Sequence, residues 1–130
     1  MRSKKQELEV SEMIQSYEDI KAYEKSYKAA VDMYRTVMRY PKEELYGLAS
    51  QIKRAATSIP LNIAEGYGKR ENVSEFKRFL LMAIGSCDEM KVLLSLSKDL
   101  SFIDEQEYEK YRKEYDEIGK MLMVLRRNWR

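Results

Sequence analysis

Histidine is missing from this sequence, since none occurs among the 130 residues. Histidine is the side chain most often used as a general base and is the commonest metal ligand. Its absence also excludes the Glu-x-x-His pattern that di-iron helix bundles use. We therefore predict a protein that is not an enzyme and that has no catalytic residue, metal, cofactor or small-molecule substrate.

Cysteine and long apolar runs are also scarce. Cys87 is the single cysteine, so it cannot form an internal disulfide, which agrees with a reducing compartment. No long apolar run occurs, and no apolar signal-peptide segment lies near Met1. These absences predict a cytoplasmic protein without a membrane partner.

Charged residues are abundant, at 35% of the sequence, and there are only 5 glycines and 2 prolines. Many charges with few helix breakers indicate an all-α protein. The length is enough for one domain with one core. The net charge is only +2, so the chain as a whole produces no strong field that would demand a polyanionic partner.

Four segments carry apolar residues at the three-and-four spacing of an amphipathic helix. They run over about 17–39, from Pro41 to the glycines at 66 and 68, 74–98 and 104–129. Short connections predict an antiparallel up-down four-helix bundle over 17–130, while the polar residues 1–16 either extend the first helix or form an N-terminal extension. The predicted core positions include Tyr27, Tyr34, Met38, Leu45, Ile59 and Ile63, and the predicted helix caps are Ser74 and Asp104.

The second segment contains Pro60, yet its apolar pattern continues beyond the proline. An interior proline removes one backbone hydrogen bond, so we predict a kink at this position rather than a break. Gly66 and Gly68 then end the helix. Ser58, Asn62 and Glu65 form a polar stripe along it, which we interpret as structural because no base that could activate a serine is apparent. The glycine spacing also differs from that of a phosphate-binding loop.

The third segment has two further features. Gly85 lies in mid-helix, where glycine costs about 1 kcal/mol relative to alanine, so we expect another backbone, such as that of the second helix, to approach it closely. Leu81, Ile84 and Leu93 form a second apolar side that a helix with one wetted face does not need. This surplus predicts oligomerisation.

Basic residues occur in pairs, and residues 120–130 carry four positive charges without an acidic residue. Two interpretations remain open: a surface that binds nucleic acid, or residues that compensate helix dipoles and keep the protein soluble. The candidate polyanion-binding residues are Lys53, Arg54, Lys69, Arg70, Lys77, Arg78, Arg126, Arg127 and Arg130.

The stretch from Gln51 to Gly66, with the core Ser-Ile-Pro-x-Asn-Ile-Ala-Glu-Gly, resembles a known signature. Tyr40-Pro41-Lys42-Glu43-Glu44-Leu45-Tyr46-Gly47-Leu48, Phe76, Arg78, Phe79, Gly85, Ser86 and Glu89 add to the resemblance. The family is that of the bacterial four-helix-bundle proteins encoded in intervening sequences of large-subunit ribosomal RNA genes. It is related to the accessory variability proteins of diversity-generating retroelements.

The resemblance implies a ring-shaped homopentamer with no catalytic role. It also implies reverse transcriptase and RNA or DNA as partners. The preferred prediction is an oligomeric scaffold that acts on nucleic acid or on a reverse transcriptase as a retroelement accessory protein. The alternative is a stand-alone bundle from a ribosomal RNA intervening sequence, with an unknown role.

Overall fold

A computed structural model describes residues 13–130, which form four α-helices and two short 3-10 turns and contain no β-strand. The helices are α1 (Lys21–Val37), α2 (Leu48–Gly68), α3 (Val73–Asp99) and α4 (Glu105–Asn128), and the 3-10 turns are Tyr17–Asp19 and Lys42–Glu44. The all-α prediction with four helices is confirmed. The predicted extension over residues 1–16 falls mostly outside the described residues.

The first helix is shorter than predicted, and its buried face matches the predicted one only in part, at Ala30 and Val37. Ser16 caps the 3-10 turn, and the α-helix begins only at Lys21. Its core side consists of small residues together with Met33 and Val37. The tyrosines expected in the core are exposed, Tyr27 at 55% and Tyr34 at 43%. The side of α1 that packs in the core is therefore formed mainly by small residues, and not by the tyrosines that the spacing predicted.

The second helix starts later than Pro41, because Lys42–Glu44 forms a separate 3-10 turn. Leu45, predicted to lie in the core, is 51% exposed. The α-helix then continues without interruption through the buried Pro60 as far as Gly68. A bend at Pro60 stays a prediction.

The helix caps illustrate the difference between a strong and a weak signal. Asp104 caps α4 as predicted, accepting a hydrogen bond from the Glu107 backbone N–H at 2.8 Å, while the Glu107 side chain completes a capping box. Ser74 was the wrong cap for α3. Asn72 takes that place, and its side chain accepts from the Glu75 N–H at 3.2 Å.

Each helix packs against the next along the chain, and α1 also packs against α4. Across α2 and α3, Ser58 contacts Ser86, whereas Gly66, later in α2, lies against Phe79, earlier in α3. This opposite sequence order is the one expected for antiparallel neighbours, although the up-down course of the whole bundle stays a prediction. Among residues 13–130, no helix is long and apolar enough to cross a membrane.

Candidate nucleic-acid interface

Three aromatic side chains hold the end of α2, the start of α3 and the end of α4 together. Phe76 and Trp129 meet edge to face with their ring centroids 4.9 Å apart, and Tyr67 meets each of them at 6.1–6.3 Å. The Tyr67 hydroxyl also donates to the backbone carbonyl of Ile14 at 3.2 Å. Edge-to-face pairs of this kind add stability beyond the area they bury. The cluster therefore gives the basic side chains around it a rigid support.

The bundle end around this aromatic cluster carries seven of the nine candidate cations. We call it the cationic end, defined by Lys69, Arg70, Lys77, Arg78, Arg126, Arg127 and Arg130. Lys69 and Arg70 follow the last residue of α2, and Lys77 and Arg78 lie in the second turn of α3. Arg126 and Arg127 belong to the last turn of α4.

A groove of about 480 Å³ lies between α3 and α4 at the cationic end. Its lining consists of three apolar residues, Leu81, Ile84 and Met123, and three basic residues, Lys77, Arg126 and Arg127. Arg126 Nε donates to the backbone carbonyl of Lys77 at 3.2 Å, which links the end of α4 to the start of α3. The structure thus brings Lys77 together with the Arg126–Arg127 pair, which lies about 50 residues away in sequence.

Three further cations of this end, Lys69, Arg70 and Arg78, lie against aromatic rings. The Arg70 guanidinium is 4.1 Å from the centre of the Tyr67 ring, and its Nη1 donates to the Tyr67 carbonyl at 3.0 Å. Lys69 and Arg78 both contact the Phe79 ring, at 5.5 Å and 4.8 Å from its centre. These contacts orient the side chains without neutralising their charge.

Carboxylates compensate only part of this charge. Arg78 forms an ion pair with Glu75 at 2.7 Å, and the hydrogen bond from Arg78 lowers the pKa of that carboxyl group. Within the part of the chain that the structure describes, no carboxylate lies within 4.0 Å of the charged groups of Lys77, Arg126 or Arg127. The groove therefore carries three cations without an ion-pair partner among residues 13–130.

Two predicted site residues lie elsewhere. The Lys53 ammonium is 5.3 Å from the centre of the Tyr34 ring of α1, and Arg54 is exposed beside it on α2. At 1.5 Å per residue, Lys53 is about 24 Å along the helix from Lys69. The nine candidate cations therefore do not come together as one cluster.

The polar motif residues in α2 form hydrogen bonds with backbone carbonyls and with α3 near Pro60. Ser58 Oγ donates to the Ala55 carbonyl at 2.8 Å and lies 2.5 Å from Ser86 Oγ of α3, and Asn62 Nδ2 donates to the Ser58 carbonyl at 2.8 Å. Glu65 is exposed. These bonds lie within one subunit, and the structural interpretation of the polar stripe stays a prediction.

The close approach assigned to Gly85 occurs at Gly66 instead. A Cβ added at Gly66 would lie 2.5 Å from Phe79 Cβ, so α2 and α3 pack closely there only because the residue has no side chain. A Cβ at Gly85 would meet no atom within 4 Å, and Gly85 is exposed. The prediction for Gly85 was wrong, and Gly66 lies inside α2, which continues to Gly68.

The single cysteine and the acidic side chains are the other groups with chemical potential among residues 13–130. Cys87 is buried, and burial raises the pKa of its thiol to about 12, so a nucleophilic thiolate is scarce at neutral pH. Among the described residues, no group of three or more cysteine, aspartate or glutamate side chains is arranged to hold a metal ion.

Sequence reasoning identified the cations of the groove and two of the three apolar residues of its floor. Leu81 and Ile84 had been assigned to a surplus apolar side together with Leu93, but Leu93 is in the core. Met123 was not singled out, although it lies off the core spacing of Leu122 and Leu125 and next to an arginine pair. The position of Met123 outside the buried stripe was the sequence signal that could have identified it as part of the groove.

Comparison with solved structures finds a similar fold in a protein of unknown function from the S23 ribosomal protein family of Bacteroides thetaiotaomicron VPI-5482, known from a crystal structure at 1.70 Å resolution. The two chains are 24% identical with a TM-score of 0.74, and the match covers 82% of this chain and 95% of the other. At this identity the similarity shows the fold alone. No curated protein matches the chain.

The sequence model of the 23S rRNA-intervening sequence proteins matches residues 18–124. The match includes the Ser58–Gly66 motif and all four helices except the last residues of α4. The match does not test the predicted relation to the accessory proteins of retroelements, so that relation stays a prediction. Since the match covers more than half of the chain, this protein belongs to the 23S rRNA-intervening sequence protein family.

Proposed function

We propose that the protein is a non-enzymatic, homo-oligomeric scaffold that binds RNA through its cationic end. The observation that carries this proposal is the cluster of Lys77, Arg126 and Arg127 around one groove, without a carboxylate partner among residues 13–130. Holding like charges together is unfavourable in the free protein. A polyanion would relieve that repulsion and would release its condensed counterions on binding.

RNA is the polyanion that we propose because guanidinium groups bind phosphate well. Two of the three groove cations are arginines, whose planar donors match phosphate oxygens in a bidentate contact. The family description refers to 23S rRNA-intervening sequences. Structured RNA with such a sequence is therefore the first ligand to test.

The homo-oligomer is proposed from two exposed apolar strips. One lies on α1 and consists of Tyr27, Tyr34 and Met38, and the other lies on α3 and consists of Val92, Leu96 and Leu100. Both α1 and α3 pack against α2 and α4, so the two strips are on opposite sides of the bundle. Contact between two different surfaces joins copies head to tail, and such contacts can close into a ring.

The proposed ring has five copies, as the sequence resemblance implies. Light scattering should give a mass near five times the chain mass of 15.5 kDa. In a ring every subunit contributes a cationic end, so weak contacts are multiplied by avidity. A monomer at micromolar concentration would contradict this part of the proposal.

RNA binding is tested by fluorescence anisotropy with a labelled structured RNA at about 50 and 200 mM salt. We expect the affinity to fall steeply with salt, because each phosphate contact adds nearly one to the slope of log affinity against log salt. Absence of binding at the lower salt concentration would refute the RNA-binding role and leave a bundle of unknown role.

The interpretation as a reverse-transcriptase accessory protein remains the second candidate from the sequence. No contact in the structure favours it over the intervening-sequence context. The genomic neighbourhood tests it directly: a reverse-transcriptase gene with template and variable repeats supports it, and a ribosomal RNA operon contradicts it.

A further inference from the structure

The groove at the cationic end has an apolar floor that phosphate binding does not explain. Leu81 is 51% exposed and Met123 is 59% exposed, although both lie between cations. A site that contacts only phosphates needs donors and positive charge, and exposed aliphatic surface adds nothing to it. The floor therefore indicates a ligand with an apolar face next to its negative charges.

We propose that the groove holds an unstacked base of single-stranded RNA, with the adjoining phosphates bound by Lys77, Arg126 and Arg127. This inference rests on the proposed RNA binding and specifies its substrate class. In an RNA duplex the base faces are stacked, and the protein meets mainly phosphates and 2′-hydroxyls. A single strand offers base faces that can pack on side chains.

The dimensions and the donors of the groove suit such a ligand. Its volume of about 480 Å³ lies within the range of small-molecule sites, which is enough for one base with its sugar. Arg126 uses Nε for the Lys77 carbonyl, and its two Nη atoms take no part in that bond. A guanidinium held in this way can contact phosphate or stack on a base without losing its anchor.

An acidic amphipathic peptide is the competing ligand with the same chemistry. The distribution of charge favours RNA, because the cations continue beyond the groove to Lys69, Arg70 and Arg78. A backbone with one negative charge per nucleotide can follow such a path around the bundle end. A peptide seated in the groove alone would leave Lys69 and Arg70 without an acidic partner from the ligand or from residues 13–130, whereas Arg78 already pairs with Glu75.

The test is methyl NMR of the full chain labelled at its methionine methyl groups, titrated with a single-stranded oligonucleotide and with a duplex of equal length. A base packed on the floor should shift the Met123 methyl signal upfield through its ring current. Met82 is the matched internal control: it is also an exposed methionine beside an arginine, with Arg78 Nη1 3.6 Å from its Sδ, but it lies outside the groove.

The matching variants are Met123→Gln and Met82→Gln, compared by anisotropy with both RNAs. We expect the single strand to bind about fivefold or more tightly than the duplex, and Met123→Gln to remove most of that advantage. Duplex affinity and the Met82→Gln protein should change little. Since Met123 and Met82 are both largely exposed, neither substitution disturbs the core.

Three other results would overturn the inference. Equal binding of both RNAs with an unshifted Met123 signal would leave phosphate binding intact and remove the base site. Binding of neither RNA would remove the proposed function as well. If an acidic amphipathic peptide shifts Met123 while neither RNA does, the groove belongs to a protein partner.

Discussion

The two ends of the bundle differ in whether their basic residues form ion pairs. At the cationic end, Lys77, Arg126 and Arg127 surround a groove without a carboxylate partner among residues 13–130. At the opposite end, Arg39 pairs with Glu107, and Lys98 lies 3.9 Å from Glu105. The same residue types thus compensate acidic neighbours at one end and remain uncompensated at the other.

This difference shows why net charge is a poor guide to binding in this protein. The value of +2 averages a compensated end with an uncompensated one. Local potential depends on which charges lie close together and which are paired, because exposed charges are screened within about 10 Å at 0.1 M salt. A weakly charged chain can therefore present a strongly basic patch.

The largest effect is expected from charge reversal at the two ends. Replacing Arg126 and Arg127 by Glu should weaken RNA binding about a hundredfold at low salt and lower the salt slope by about two, since two phosphate contacts are lost and repulsion replaces them. The matched control reverses Arg39 and Lys98, which are already paired, and should change affinity little. Anisotropy measures both, with circular-dichroism melts to verify folding. An equal loss of RNA affinity in the two variants would contradict the proposed difference between the two ends.

Packing under the cationic end should be the next most sensitive feature. Gly66→Ala places a Cβ 2.5 Å from Phe79 Cβ, so the two helices must separate locally. Overpacking typically costs about 1–3 kcal/mol, and a clash with a Cβ atom at 2.5 Å should cost about 2–3 kcal/mol, more than the gain of about 1 kcal/mol in helix propensity. Urea unfolding should show a net loss of roughly 1–2 kcal/mol. A variant as stable as the parent protein would mean that the contact relaxes freely.

Cys87 is buried between the two ends, and its thiol should make the free energy of unfolding decrease at alkaline pH. Burial raises the pKa of its thiol from 9.0 to about 12, so the folded protein retains the proton while the unfolded chain loses it above pH 9. The contribution of the protonated Cys87 thiol to the free energy of unfolding is complete below pH 9 and is lost as the pH rises toward 12. Between pH 8 and pH 10 the free energy of unfolding should fall by about 1.4 kcal/mol more than in Cys87→Ala.

Urea unfolding at the two pH values measures that difference. Tyr115, whose pKa burial also raises, stays protonated in both folded proteins between pH 8 and pH 10, so its contribution cancels. Identical pH slopes for the two proteins would show that Cys87 ionises as easily in the folded state as in the unfolded chain.

The smallest effect is expected at Gly85, on the exposed side of α3. A Cβ there meets no atom within 4 Å, so Gly85→Ala should stabilise the subunit by about 0.5–1 kcal/mol through helix propensity alone. In the same unfolding experiment, Gly85→Ala should raise the free energy of unfolding and Gly66→Ala should lower it, although both variants add the same methyl group. A destabilised Gly85→Ala protein of reduced oligomer mass would instead place Gly85 at a subunit contact.

Several features of the fold could be predicted because their causes are local. Asp104 and Glu107 form a capping box three residues apart, so the start of α4 is readable from sequence. The apolar spacing around Pro60 continued, and the helix did too. The tyrosines of α1 were misread because spacing identifies an apolar stripe but not which edge of it a neighbouring helix covers.

The sequence by itself determined the helix-forming segments, the family and the residue types available for binding, because periodicity, caps and motifs act over a few residues. Only the tertiary structure decided that Gly66, and not Gly85, permits close helix packing. It also decided that Lys77 meets Arg126 and Arg127 over an apolar floor, while Lys53 lies on a tyrosine ring of another helix. These outcomes depend on contacts between residues far apart in the chain, which hydrophobic packing of the four helices brings together and no local pattern encodes.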